Sequence, residues 1–158
     1  MTNNTSDGVA KIMQSIQTEL KAPKGQTNKF GGYKYRSCED ILEAVKPLLN
    51  KYNCFLTISD EVVEVGGRVY VKTTATVHES HNHLVAETTA YAREADIKKG
   101  MDEAQITGSA SSYARKYALN GLFAIDDTKD PDATNTHGKN KPRSPQFVGS
   151  SVITPTEF

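Results

Sequence analysis

The chain has 158 residues, 37% of them hydrophobic and 24% charged, and its 19 basic and 19 acidic side chains balance to a formal net charge of zero. That length accommodates one domain with a modest core. The neutral balance excludes attraction to a polyanion by overall charge, so any reading as a nucleic-acid binder must rest on local clustering of cations.

The opening "TNNTSDG" carries neither an apolar stretch nor twin arginines, so no secretory leader is expected and the chain reads as cytoplasmic. No apolar run approaches the ~18 residues of a membrane span. Residues 8–21, "GVAKIMQSIQTELK", place Val9, Ile12, Met13, Ile16 and Leu20 at helical spacing. Asp7 is the expected N-cap, and Pro23-Lys24-Gly25 ends the element.

The stretch from Lys24 to Arg36 differs in kind. It holds four cations (Lys24, Lys29, Lys34, Arg36), three aromatics (Phe30, Tyr33, Tyr35), three glycines and no carboxylate. Cations attract phosphates, and aromatic faces stack unpaired bases. The competing reading is a surface loop whose aromatics pin it to the sheet.

Ser37 opens a second helix. "SCED" reads as a capping box, in which the Ser37 hydroxyl serves early amides while Asp40 reaches back. The apolar face is Ile41, Leu42, Val45, Leu48, Leu49 and Tyr52. Pro47 predicts a kink or break near Val45, with the apolar spacing retaining one bent helix.

From Cys54 to Ala95 the period becomes two. "CFLTISDEVVEV", "RVYVKTTATVHES" and "HLVAETTAYAREA" read as three consecutive antiparallel strands, separated by turns at Gly66-Gly67 and His81-Asn82. In the second strand Val69, Val71, Thr73, Ala75 and Val77 line one face, and Tyr70, Lys72, Thr74, Thr76 and His78 the other. In the third, Leu84, Ala86, Thr88, Ala90 and Ala92 oppose Val85, Glu87, Thr89, Tyr91 and Arg93. One sheet face is apolar enough to carry helices.

After the connector "DIKKGMDEA", residues 104–120 predict a third helix with Ile106, Ala110, Tyr113, Ala114, Tyr117 and Ala118 on one side. Gly108, Ser109, Ser111 and Ser112 make the opposite side small enough for a backbone to approach. Tyr113 and Tyr117, at i and i+4, read as core, with Arg115 and Lys116 facing solvent. Beyond "GLFAI" the chain turns acidic, then polar. The expected organisation is a domain over 1–133 and a disordered tail over 134–158. The expected fold class is α+β, a three-stranded antiparallel β-meander packed with helices.

The remaining clusters favour plain readings. Cys38 and Cys54 fall on a helix start and a strand start, and are expected as reduced, buried thiols. His78, His81 and His83 suit a polar turn better than zinc, which would need a further ligand or an open water position. Asp126, Asp127, Asp130 and Asp132 lack the glycine of a calcium loop, where Pro131 stands, and read as a solvated helix exit. Glu19-Leu20-Lys21 is the only E-x-K, and it lies on a helix rather than the strand expected of a paired-carboxylate nuclease site. Neither a phosphate-binding P-loop nor a Ser-His-Asp signature stands out. No catalytic residue, resident metal or cofactor is expected, and the chain reads as a binding protein rather than an enzyme.

Two stretches together, "YKYRSCEDILEAVKPLL" (33–49) and "GSASSYARKYALNGLFAIDDTKDPDA" (108–133), resemble the essential-recombination-function (Erf) family of phage single-strand annealing proteins. The resemblance spans roughly residues 5–133, strands included. It implies a β-β-β-α annealing-protein core, ATP-independent binding of single-stranded DNA, annealing of complementary strands in phage recombination, and assembly into rings or filaments. A host or phage single-strand-binding protein is a further candidate partner. The matched motifs carry Tyr33, Tyr35 and Arg36, and Tyr113, Arg115, Lys116 and Tyr117. Lys116 and Ser112 stand where arginine and threonine would be expected, and a short polar tail stands where longer members carry a substantial C-terminal region.

Residue chemistry completes the expected DNA-binding set: Lys24, Lys29, Phe30, Tyr33, Lys34, Tyr35, Arg36, Lys72, Arg93, Arg115 and Lys116, along one groove. Asp60, Glu61 and Glu64 are expected as an acidic strand edge that discourages indiscriminate binding. Two alternatives stand beside annealing: a metal-dependent nuclease using the Asp126–Asp132 cluster, and a binder that protects single strands without annealing them. The terminal "PTEF" distantly resembles the partner-docking tips of bacterial single-strand-binding proteins, but an inert tail end is the favoured reading.

Overall fold

A computed structural model describes residues 4–29, 31–81 and 83–125, with side chains from Gly8 onward. Phe30, Asn82, the Asp126–Asp132 cluster and the tail lie outside the described residues.

Helix α1 runs from Asn4 to Glu19. It begins earlier than the capping signal predicts, so Asp7 falls within the helix and is not its N-cap. The predicted stripe holds: Met13, Ile16 and Leu20 are buried, with Ile12 packed beside them. Helix α2, Cys38–Lys51, starts at the expected capping box. The Asp40 amide donates to Ser37 Oγ at 3.2 Å, and the Ser37 amide donates to Asp40 Oδ2 at 2.8 Å. The helix runs unbroken through Pro47, and Ile41, Val45 and Leu49 on its apolar face are buried.

Two short strands, β1 (Gln26–Thr27) and β2 (Lys34–Tyr35), precede α2, and strands β3 (Cys54–Val65), β4 (Arg68–Glu79) and β5 (Leu84–Arg93) form the meander in that order. The β3–β4 hairpin pairs Val65 with Arg68, leaving Gly66-Gly67 as its loop. Both glycines adopt positive φ, 62° and 71°, which matches the two-residue turn the sequence predicts. The α+β class is as expected.

One feature of β5 was not legible. The register passes from Val77↔Ala86 to His78↔Leu84, so Val85 is an extra residue in a bulge. The bulge lets neighbouring side chains share a face. Val85 packs with Ala86 against the core, while Leu84, expected on the apolar face, is 57% exposed.

Helix α3, Glu103–Leu122, has a second capping box, made by Asp102 and Gln105. It packs against β4 and β5, while α2 meets β3 and α1 meets β5. The core lies between these helices and the sheet face bearing Ala75 and Val77. Ile16, Ile41, Val45, Leu119 and Phe123 are almost wholly buried there, each contributing roughly 1.5–3 kcal/mol. Ala110, Ala114 and Ala118, one turn apart, bring the α3 axis close to the sheet. The tightest approach is at Gly121, where a Cβ would stand 2.9 Å from Thr88 Cγ2. The glycine-serine side of α3 serves otherwise: Gly108 faces open space and Ser111 donates to Asp60.

Two ties close the helical layer. Gln17 Nε2 donates to the Leu122 carbonyl at 2.9 Å, satisfying an acceptor at the end of α3. Glu19 accepts from Lys51 at 2.7 Å and from the Tyr52 hydroxyl, joining the ends of α1 and α2.

Candidate nucleic-acid interface

The glycine-rich basic strip is a small hairpin. Strand β1 (Gln26–Thr27) pairs with β2 (Lys34–Tyr35) in antiparallel register. Asn28 organises the turn. Its amide donates to the Tyr33 carbonyl at 2.9 Å, its carbonyl accepts from Gly32, and its Oδ1 accepts from the Gly31 amide. Its Nδ2 also donates to the Tyr33 hydroxyl at 3.0 Å, which orients the ring. Gln26 Nε2 reaches Asp40 Oδ1 at 3.3 Å, so the hairpin is tethered to the cap of α2. That tether explains why a basic-aromatic strip immediately precedes a capped helix: the helix start is its anchor.

Gly31 is required by close approach. A Cβ there would fall 2.5 Å from Tyr33 Cε1. Gly31→Ala is therefore expected to displace the Tyr33 ring and break its hydrogen bond to Asn28. The check is a several-fold loss of oligonucleotide affinity with an unchanged melting temperature.

The hairpin, the start of α2 and one side of α3 enclose a cleft of about 510 Å³. Tyr33, Tyr35, Arg36, Cys38 and Glu39 line it from one side, and Ser112, Tyr113, Lys116 and Tyr117 from the other. The rings come in two pairs. Tyr33 and Tyr35 sit edge to face with centroids 6.4 Å apart, and Tyr113 and Tyr117 stack at 6.3 Å with 27° between planes. The reading of Tyr113 and Tyr117 as core is overturned, since they are 55% and 52% exposed. The alanine stripe already fills the buried face of α3, so the tyrosines one position before Ala114 and Ala118 turn outward.

The expected cations do not all converge. Lys29 and Lys34 are exposed on the hairpin, and Lys24 precedes it, half-buried. Arg36, at 8% exposure, sits in the cleft wall and not on an open surface. Lys116 lines the cleft, whereas Arg115 does not. The Arg115 guanidinium is engaged by Asp60, through Nε at 3.0 Å and Nη2 at 2.8 Å to Oδ2. Lys72 alternates with buried Val71 and Thr73, so it lies on the opposite sheet face, where it pairs with Glu61 at 3.1 Å. Arg93 lines a second cleft beyond the tyrosine pair.

Asp60 is consequently no repulsive edge. It accepts from Thr73 at 2.6 Å, Ser111 at 2.6 Å and Arg115, latching α3 to β3 and β4. Burial alone would raise its pKa. The hydrogen bonds from Arg115, Ser111 and Thr73, with the charge of Arg115, outweigh that and hold the carboxyl below its usual range.

Cys38, in the cleft wall, is buried, and Cys54 is half-buried; both are free thiols. Burial, aided by Glu39, pushes the Cys38 thiol up, so it sits in the cleft protonated. At the β4–β5 turn His83 pairs with Glu79, while the His78 ring stacks on Phe55 at 4.8 Å. Among the described residues no group of three or more His, Cys, Asp or Glu is arranged to hold a metal ion, and no helix is long and apolar enough to cross a membrane.

Comparison with known proteins bears on this cleft. The family model described as "ERF superfamily" matches residues 9–150, which include every residue lining it. The chain belongs to the ERF superfamily. Among its ERF relatives is the "Essential recombination function protein" of Salmonella phage P22, 58% identical over 133 residues. That match covers 84% of this chain and 62% of the P22 protein, so this ERF chain spans less than two thirds of that relative's length. No solved structure matches it.

Proposed function

We propose that this ERF-superfamily chain binds single-stranded DNA in the hairpin–α3 cleft and anneals complementary strands in phage recombination. It does so without nucleotide hydrolysis, as a binding protein and not an enzyme. One observation carries the reading: two sequence stretches some 70 residues apart bring four tyrosines, Arg36 and Lys116 to a single cleft. The recombination role is supported by family membership and by the name of the P22 relative.

Phosphates are held by Lys116 and Arg36 and by Lys29 and Lys34 on the hairpin, while tyrosine faces stack bases. Stacking engages the flat faces of the bases and leaves their pairing edges for a second strand, so annealing requires only that strands be held open and close together. Copies assemble side by side into a ring or filament, which extends the track along a polynucleotide. The setting is the bacterial host cytoplasm, and a host or phage single-strand-binding protein supplies coated substrate.

Two complementary oligonucleotides, mixed without ATP or added metal, test the proposal. Duplex formation faster with the protein supports annealing. Slowing identifies a protector, and strand shortening in magnesium identifies a nuclease. Affinity should fall with salt at a log-log slope of about −3 if four phosphates are neutralised, at roughly −0.7 each. Replacing Lys29, Lys34 and Lys116 by alanine should make that slope shallower by about 2. An unchanged slope would remove these lysines from the interface.

A further inference from the structure

The tyrosine pair on α3 belongs to two clefts. On the side away from the hairpin, Tyr113 and Tyr117 also border a second cleft of about 340 Å³. Its other walls are Tyr91, Ala92 and Arg93 at the end of β5, Lys98 in the following connector, and Ile106, Ser109 and Ala110 of α3. Ala92 faces α3, while Tyr91 and Arg93 alternate with it and border the cleft at the outer edge of β5, so aromatic rings and two cations, Arg93 and Lys98, rim its mouth.

Charge favours an anionic occupant. Asp96 faces Arg93 only at 3.8 Å, a loose pairing in which the arginine is about half exposed and the aspartate almost fully so. Lys98 has no ion-pair partner among the described residues. Glu94, the nearest other acid in the chain, is turned to Thr107 by a hydrogen bond and borders a different cleft. The rings of Tyr91, Tyr113 and Tyr117 are each about half exposed. A polyanion carrying flat aromatic rings that stack through their faces matches this surface.

We infer that the second cleft receives the incoming complementary strand, so that the two strands lie on either side of the Tyr113–Tyr117 ridge and pair across it. The inference rests on the first cleft holding a single strand, as proposed above. Nothing about one strand alone needs two basic-aromatic clefts sharing a wall. For two strands the shared wall sets their separation: bases released from either face of the ridge meet at its crest. The connector residue Lys98 then acts on capture of the second strand, not on retention of the first.

The test uses the full chain and the variants Lys98→Glu and Tyr91→Ala, neither of which borders the first cleft. Affinity is measured by fluorescence anisotropy on one oligonucleotide of about 16 nucleotides, long enough to cover both clefts. Annealing is followed by energy transfer between two labelled complementary strands. The expected result is single-strand affinity within twofold of wild type and an annealing rate at least tenfold lower. Lys98→Arg should restore the rate, and unchanged thermal melting verifies the fold.

Affinity falling in step with annealing would mean that one strand threads both clefts, which overturns the inference. Annealing at the wild-type rate in both variants overturns it as well. Failure of the underlying reading is visible separately, as a wild-type protein that does not bind the oligonucleotide at all.

Discussion

Tyr113→Ala combined with Tyr117→Ala is expected to weaken single-strand binding by about two orders of magnitude while leaving the fold intact. Base–aromatic stacking is worth roughly 1–3 kcal/mol per base, so two rings at about 1.5 kcal/mol each lose about 3 kcal/mol, close to a hundredfold in Kd. Both side chains are about half exposed and project beside a buried stripe that Ala110, Ala114 and Ala118 already complete. Truncation therefore opens no cavity, and melting should move by a few degrees at most. Fluorescence anisotropy against salt separates this loss from a charge effect, because removing rings lowers affinity without flattening the salt slope. A loss below threefold would mean the rings do not stack on bases, and the cleft would have to bind through its cations alone.

Asp60→Ala acts on the opposite side of α3 and should destabilise the fold substantially. It removes the acceptor for Thr73, Ser111 and Arg115 together. Hydrogen bonds to a charged group are worth about 1.5–3 kcal/mol, and the abandoned donors add their own penalty. A loss of about 3 kcal/mol would lower the melting temperature by roughly 10 °C in a domain of this size. The folded carboxyl titrates below its unfolded value of about 3.9. The charged latch is therefore fully present above that value and is lost as pH falls through the lower folded one. Thermal melts should show wild type well above Asp60→Asn at neutral pH, with the gap closing below about pH 4. A pH-independent gap would assign the stability to packing and not to the ion pair.

These two predictions concern residues whose roles the sequence suggested incorrectly, and the reasons are physical. Tyr113 and Tyr117 have helical spacing and aromatic bulk, the usual marks of core. Only the packing shows that alanines one residue later take the buried face, because α3 must sit close to β4 and β5. Asp60 and Arg115 are 55 residues apart, and a strand carboxylate and a helical guanidinium carry no sequence mark of being partners. The β5 bulge is likewise silent. Strict alternation places Leu84 inward, and one extra residue opposite His78 puts Val85 there instead. Gln26–Thr27 and Lys34–Tyr35 were too short for any periodic signal, although Asn28 and the following glycines are turn-forming residues in plain view. Asp102 with Gln105 is a capping signature in plain view of the sequence.

By itself the sequence determined the elements and their order. A period of 3.6 in α1 and α2, a period of two across the meander, paired glycines at one turn and Ser37 with Asp40 at a helix start are local preferences, written within a few residues of where they act. It also determined the family, through two motifs in order. The tertiary structure alone decided which cations and rings share a cleft. Lys116 enters it, Arg115 is drawn off to Asp60, Lys72 is carried to the far sheet face, and Arg93 falls beyond the tyrosine ridge. Side-chain direction on a packed helix or strand is set by the neighbours it must fit, and those neighbours are distant in sequence.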